Sequence, residues 1–125
     1  MSNVLLIEPD KVLATAYRQA FEHAGHIVTH ATSAQAAIDA ADRQRPDLVV
    51  LELQLVITGG IGFLQEFRSY DEWARVPVIV NTLIAPEVLA TSRQLLKLTY
   101  GVNECFYKPQ TSLDQLVRAV RTALP

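Results

Sequence analysis

The sequence has little of what staples, anchors or disorders a chain. Of 125 residues one is cysteine, Cys105, so no intramolecular disulfide framework can form. A single unpaired thiol suits a reducing compartment. Charged residues make up only 19% while half the chain is hydrophobic, which argues against intrinsic disorder. Neither sign of charge dominates: the formal net charge is -2 and the pI is 5.9. A direct nucleic-acid binder, with a basic face and a pI above about 9, is therefore not expected. Long hydrophobic runs are also absent. Val4–Ile7 and Leu48–Leu51 fall far short of the ~20 residues of a membrane span. The first nine residues carry Glu8 and no basic stretch, so no signal peptide is read there. The expectation is a cytoplasmic protein with no membrane contact, one domain over residues 1–125. A chain of this length buries roughly two-thirds of its unfolded surface and needs no staple.

What is present is an alternation. Apolar runs of strand type, at Val4–Ile7, Ile27–Thr29, Leu48–Leu51, Val76–Val80 and Cys105–Tyr107, are each followed by a stretch of helical spacing. The first helix carries Val12, Leu13, Ala16, Tyr17, Ala20, Phe21 and Ala24 at intervals of three and four, and Gly25 ends it. Thr32 or Ser33 caps the second, which Arg45-Pro46 stops. Gly59, Gly60 and Gly62 read as a flexible turn before a third helix from Phe63. Pro86 to Tyr100 reads as one continuous fourth helix closed by Gly101, and Ser112 caps the fifth. Strand–helix units repeated five times predict an α/β fold, (βα)5, with a mainly parallel sheet covered on both faces and right-handed crossovers. Ligands of such sheets bind beyond the carboxyl ends of the strands.

Those ends carry chemistry. The first strand runs into Glu8-Pro9-Asp10, the third into Glu52, the fourth into Asn81-Thr82 and the fifth into Lys108-Pro109. With Pro46-Asp47 before the third strand and Gly60 eight residues after Glu52, these segments resemble, in order and spacing, a receiver domain of two-component response regulators over nearly the whole chain. The resemblance implies a flavodoxin-like doubly wound sheet of order 2-1-3-4-5. It also implies phosphoryl transfer from a histidine kinase to a carboxylate at the Glu52 position. In the family a divalent cation, usually Mg²⁺, and a lysine neutralise charge on the phosphoryl oxygens. A Thr or Ser then binds the phosphoryl group and moves a switch loop.

Carried over residue by residue, the match is partial. Lys108 takes the lysine position and Thr82 the hydroxyl position. Glu8 takes the first acidic position. The second, the usual metal ligand, falls on Pro9, which has no carboxylate, and the adjacent Asp10 is a partial substitute at best. The acidic pocket thus reads as Glu8 and Asp10, with Glu8 and Glu52 as weakened candidate ligands for Mg²⁺. Glu52 stands where the family has Asp. The extra methylene shifts the carboxylate by about 1–1.5 Å, a misplacement that such reactions tolerate badly. The aromatic switch position falls on Cys105. The usual Pro after the acceptor and the acid before Gly60 are missing, and the stretch from Thr82 to Lys108 is roughly one turn longer than the family norm. These departures predict a degenerate, non-enzymatic pseudo-receiver that requires no cofactor. Glu52 then either pairs with Lys108 in a permanent active-like state or leaves an inert scaffold. Protein partners are expected: a histidine kinase, an output protein or a second copy. The expected face is the fourth helix, fifth strand and fifth helix, including Leu95, Tyr100, Cys105, Phe106 and Gln110.

Other readings stay open. A variant acidic site could still accept a phosphoryl group with Mg²⁺. Thr58-Gly59-Gly60-Ile61-Gly62 could cradle the phosphate of a nucleotide or flavin, although Gln65 stands where a third glycine belongs. His23, His26 and His30 have metal-like spacing that Gly25 interrupts, and a surface or partly buried role is expected. Phe67, Tyr70 and Trp73 read as helix-end packing, and Cys105 as a buried inert thiol.

Overall fold

Alternate residues of the central strands face opposite layers, and each layer is apolar. The computed structural model describes residues 1–125. Its strands are β1 (Asn3–Ile7), β2 (Ile27–Ala31), β3 (Leu48–Leu51), β4 (Val78–Thr82) and β5 (Val102–Tyr107). They form one all-parallel sheet of order β2-β1-β3-β4-β5, the topology expected. Leu5, Ile7, Val49, Leu51, Val78 and Val80 face one layer, and Val4, Leu6, Leu48, Val50 and Ile79 the other. Because both faces are covered, the strands read as unbroken apolar runs.

Helices α1 (Lys11–His23) and α5 (Leu113–Ala123) cover one face. Helices α2 (Ala34–Arg43), α3 (Gly60–Ser69) and the one-turn α4 (Pro86–Leu89) cover the other. Ser33, not Thr32, caps α2 through its side chain. Gly25 follows α1 at φ +99°, a conformation that favours glycine. Phe63, Phe67 and Trp73 stack at ring separations of 5.1 and 5.0 Å, and Tyr70 meets Trp73 edge-on, the helix-end packing expected of them. No helix is long and apolar enough to cross a membrane.

Three expectations need correction. Gly60 and Gly62 lie inside the first turn of α3 instead of in a turn before it. A Cβ on Gly60 would sit 2.6 Å from Leu53 Cα, so glycine is what lets the helix lie on the chain leaving β3. Packing therefore accounts for Gly60 without a bound phosphate. Secondly, the Pro86–Tyr100 stretch is not one helix. The α4 turn ends at Leu89, where the Thr91 hydroxyl donates to the Val88 carbonyl at 3.1 Å and Ser92 N–H to the Leu89 carbonyl at 2.9 Å. Such local bonds compete with the helical ladder. The chain then passes into a wider π-helical turn, Leu95–Thr99. Thirdly, β4 starts at Val78 rather than Val76 and runs on through Asn81 and Thr82, while β5 starts three residues earlier than expected. A bulge between Val78 and Ile79 skips Asn103, whose side-chain oxygen accepts from Val78 N–H at 3.1 Å.

Candidate functional site

The strand register sets the site. Ile7 pairs with Leu51, Leu51 with Val80 and Val80 with Cys105. The next residues, Glu8, Glu52, Asn81 and Phe106, therefore form one row across the carboxyl edge of the sheet. Thr82 and Tyr107 form the following pair. Lys108 opens a short 3-10 turn, Lys108–Gln110, and reaches back over the edge.

Lys108 is the hub. Its ammonium lies 2.6 Å from Glu8 Oε1 and 2.7 Å from Glu52 Oε1, and the three side chains are 4%, 3% and 2% exposed. The Glu52 carboxylate is saturated with donors. Oε1 accepts from Lys108 at 2.7 Å and from Leu83 N–H at 3.0 Å. Oε2 accepts from the Thr82 hydroxyl and from Gln54 N–H, the latter at 3.0 Å. Thr82 Oγ1 in turn accepts from Ile84 N–H at 3.1 Å. Burial alone would raise the Glu52 carboxyl pKa. The bonds from Lys108, Thr82 and Gln54 outweigh it and hold the group below its ordinary value. Burial likewise would lower Lys108, but its bonds to Glu52 and Glu8 keep the ammonium protonated above its ordinary value.

Asp10 does not enter this pocket. It N-caps α1, its Oδ1 accepting from Val12 N–H at 2.9 Å and Leu13 N–H at 3.0 Å. Only its backbone N–H touches the site, donating to Glu8 Oε2 at 3.1 Å. The structure thus brings together Glu8, Glu52, Thr82 and Lys108 and leaves Asp10 outside. It adds groups that residue types did not announce: the N–H groups of Gln54 and Leu83, and His30, whose Nε2 donates to the Glu8 carbonyl at 2.8 Å. Asn81 is 2% exposed and its side-chain oxygen has no partner.

The remaining residues on the expected interaction face lie apart from the pocket. Leu95 is exposed, Tyr100, Cys105 and Phe106 are half-buried, and Gln110 is exposed. Burial pushes the Cys105 thiol pKa up, against the opposing pull of Arg93, so it is a poor nucleophile.

The response regulator receiver domain profile matches residues 4–121. The chain belongs to the receiver domain family. This receiver is 32% identical over 124 residues to the KDP operon transcriptional regulatory protein KdpE of Escherichia coli (strain K12). It is 34% identical over 121 residues to the probable transcriptional regulatory protein TcrX of Mycobacterium tuberculosis. The matches cover 99% and 97% of the chain but only 52% and 49% of those proteins, so the receiver spans about half the length of these relatives. Among solved structures, the chemotaxis response regulator CheY4 of Vibrio cholerae superposes with a TM-score of 0.86 at 18% identity, over 99% of each chain. The receiver domain of sensor histidine kinase PA1611 from Pseudomonas aeruginosa, solved with a magnesium ion in its active-site cleft, gives 0.84 at 26% identity, over 97% and 95%.

The carboxylates that such an ion would use are already paired in this receiver. Mg²⁺ asks for near-ideal octahedral oxygen coordination. Here two carboxylates face the pocket, each already bound to the Lys108 ammonium. Pro9 contributes no oxygen ligand from its side chain, and Asp10 is spent on the helix cap. No group of three or more His, Cys, Asp or Glu residues is placed to hold a metal.

Proposed function

We propose that this receiver is a pseudo-receiver: a signalling module of the two-component class that works by protein contact, without catalysis, without a divalent cation and without normal phosphorylation. The observation that carries the reading is the saturated carboxylate of Glu52. The Thr82 hydroxyl, the Leu83 N–H and the Lys108 ammonium all donate to it. In the family the Thr82 and Lys108 positions serve a phosphoryl group. The longer side chain brings negative charge out to these donors, so the loop after β4 is drawn in permanently. This favours the constitutive form over an inert scaffold. Two donors on each oxygen of Glu52 stabilise its negative charge and make it a weaker nucleophile toward a phosphoryl donor. The partners proposed are a histidine kinase, an output protein or a second copy, met in the cytoplasm. The outer face of α4, β5 and α5 is the proposed contact, with Leu95, Tyr100, Cys105, Phe106 and Gln110 within it.

Incubation with acetyl phosphate and Mg²⁺, read by intact mass, tests the reading. No adduct is expected on the natural chain. The double variant Pro9→Asp, Glu52→Asp, which restores the second acid and the shorter acceptor, is expected to gain one phosphoryl group. An adduct on the natural chain removes the proposal and supports a variant phosphoacceptor in its place.

A further inference from the structure

The tip of the loop between β3 and α3 is unusual. Ile57 has φ +73°, a left-handed conformation in which a β-branched residue is a genuine outlier. Its side chain is fully exposed and its neighbour Val56 is 76% exposed. Ile57 therefore gains nothing from burial in the isolated molecule and sits in a backbone conformation that disfavours it. Glycine or asparagine would suit the position better.

Beside this knob is a cleft. It encloses about 290 Å³ between the start of α3 and α4, and its lining includes Leu53, Gly60, Ile61, Ile84, Val88 and Leu89. No charged side chain lines it. Gly59, two residues beyond Ile57, forms part of its wall. Val88 at its rim is 66% exposed, and Leu83, next to Ile84, is 52% exposed.

We propose that this face binds a second copy of the same chain, Val56 and Ile57 of each copy entering the cleft of the other. A knob and a hole side by side on one surface are what a two-fold, isologous contact requires. The absence of charge in the cleft means that identical copies bring no like charges together there. Val56, Ile57, Leu83 and Val88 present on the order of 500 Å² of aliphatic surface, the size of the largest patch on an ordinary monomer. Two copies would bury roughly 1,000 Å², at the lower bound for a specific interface. An interface of that size is expected to be weak and reversible. The association rests on the reading of the receiver as a contact module and specifies a face, between α3 and α4, distinct from that of α4, β5 and α5.

Sedimentation velocity across micromolar to sub-millimolar concentrations, with a thermal melt for each variant, tests this. The natural chain is expected to dimerise reversibly. Ile57→Asn is expected to raise Tm by about 2–5 °C, since strain is relieved, while weakening association at least tenfold. Val88→Asp is expected to abolish association without raising Tm. A natural chain that stays monomeric throughout, a dimer that survives both variants, or an Ile57→Asn variant that melts earlier than the natural chain at concentrations where both are monomeric would each overturn the proposal. A phosphoryl adduct on Glu52 would overturn the pseudo-receiver reading and leave this result standing.

Discussion

Replacing Lys108 by Met removes the only ammonium from a pocket that holds two buried carboxylates. The side chains are similar in length, so packing changes little and the perturbation is electrostatic. With Lys108, Glu8 and Glu52 share one counter-ion across 2.6 and 2.7 Å. Without it, two negative charges, each at most 3% exposed, face each other uncompensated. Breaking a buried pair by removing one partner costs about 3–5 kcal/mol. A domain of this length is stable by roughly 6–12 kcal/mol, so the variant folds but loses a large share of its margin. Glu52→Gln is the control. It leaves the Glu8–Lys108 pair neutral overall and costs about 1–2 kcal/mol in weakened charge-assisted bonds. Urea unfolding at pH 7 and pH 5 measures both variants. In Lys108→Met the Glu52 carboxyl loses the ammonium that helps hold its pKa down, so the penalty is smallest at low pH and grows as pH rises through the new folded value. The deficit relative to the natural chain should therefore shrink at pH 5. The reasoning is refuted if Lys108→Met costs less than Glu52→Gln, or if its deficit is the same at both pH values.

Two further outcomes follow from the same geometry. In the natural chain Glu52 titrates below its ordinary 4.5 and Lys108 above its ordinary 10.5. The Glu52 contribution is thus present above about pH 4.5 and lost as pH falls through the depressed folded value, and the Lys108 contribution is present below about pH 10.5 and lost as pH rises through the raised one. Chemical denaturation across pH should show a plateau with an acid limb that Glu52→Gln flattens. Gly60→Ala places a Cβ 2.6 Å from backbone at Leu53, which cannot yield as a flexible side chain could. A loss of about 2–3 kcal/mol is expected, visible as a lower urea midpoint with an unchanged slope.

The sheet was legible in the sequence because burial on both faces leaves unbroken apolar runs, as at Val4–Ile7 and Leu48–Leu51. The break after Leu89 was not. Leu89 and Leu96 keep a helical apolar spacing and both are buried, while the hydroxyl bond that helps end the turn leaves no mark on that pattern. At the site, Glu8, Glu52, Thr82 and Lys108 could be read because each stands at the carboxyl end of a strand. The Gln54 and Leu83 donors could not, since every residue but proline carries an N–H. Asp10 was ambiguous for a physical reason: a carboxylate before a helix serves equally as a cap or as a ligand, and the cap won. Ile57 gave no signal, because nothing about isoleucine suggests a left-handed backbone.

The Lys108 bridge also bears on the timing of folding. It joins residue 8, at the end of the first strand, to residue 108, just past the last, and crosses the central strand on the way. Such a contact needs β1, β3 and β5 side by side in the sheet before it can close. Interactions absent from the transition state slow unfolding and leave the rate of folding nearly untouched. The bridge is thus expected to act as a latch on the finished molecule: in a denaturant chevron Lys108→Met should speed unfolding far more than it slows folding.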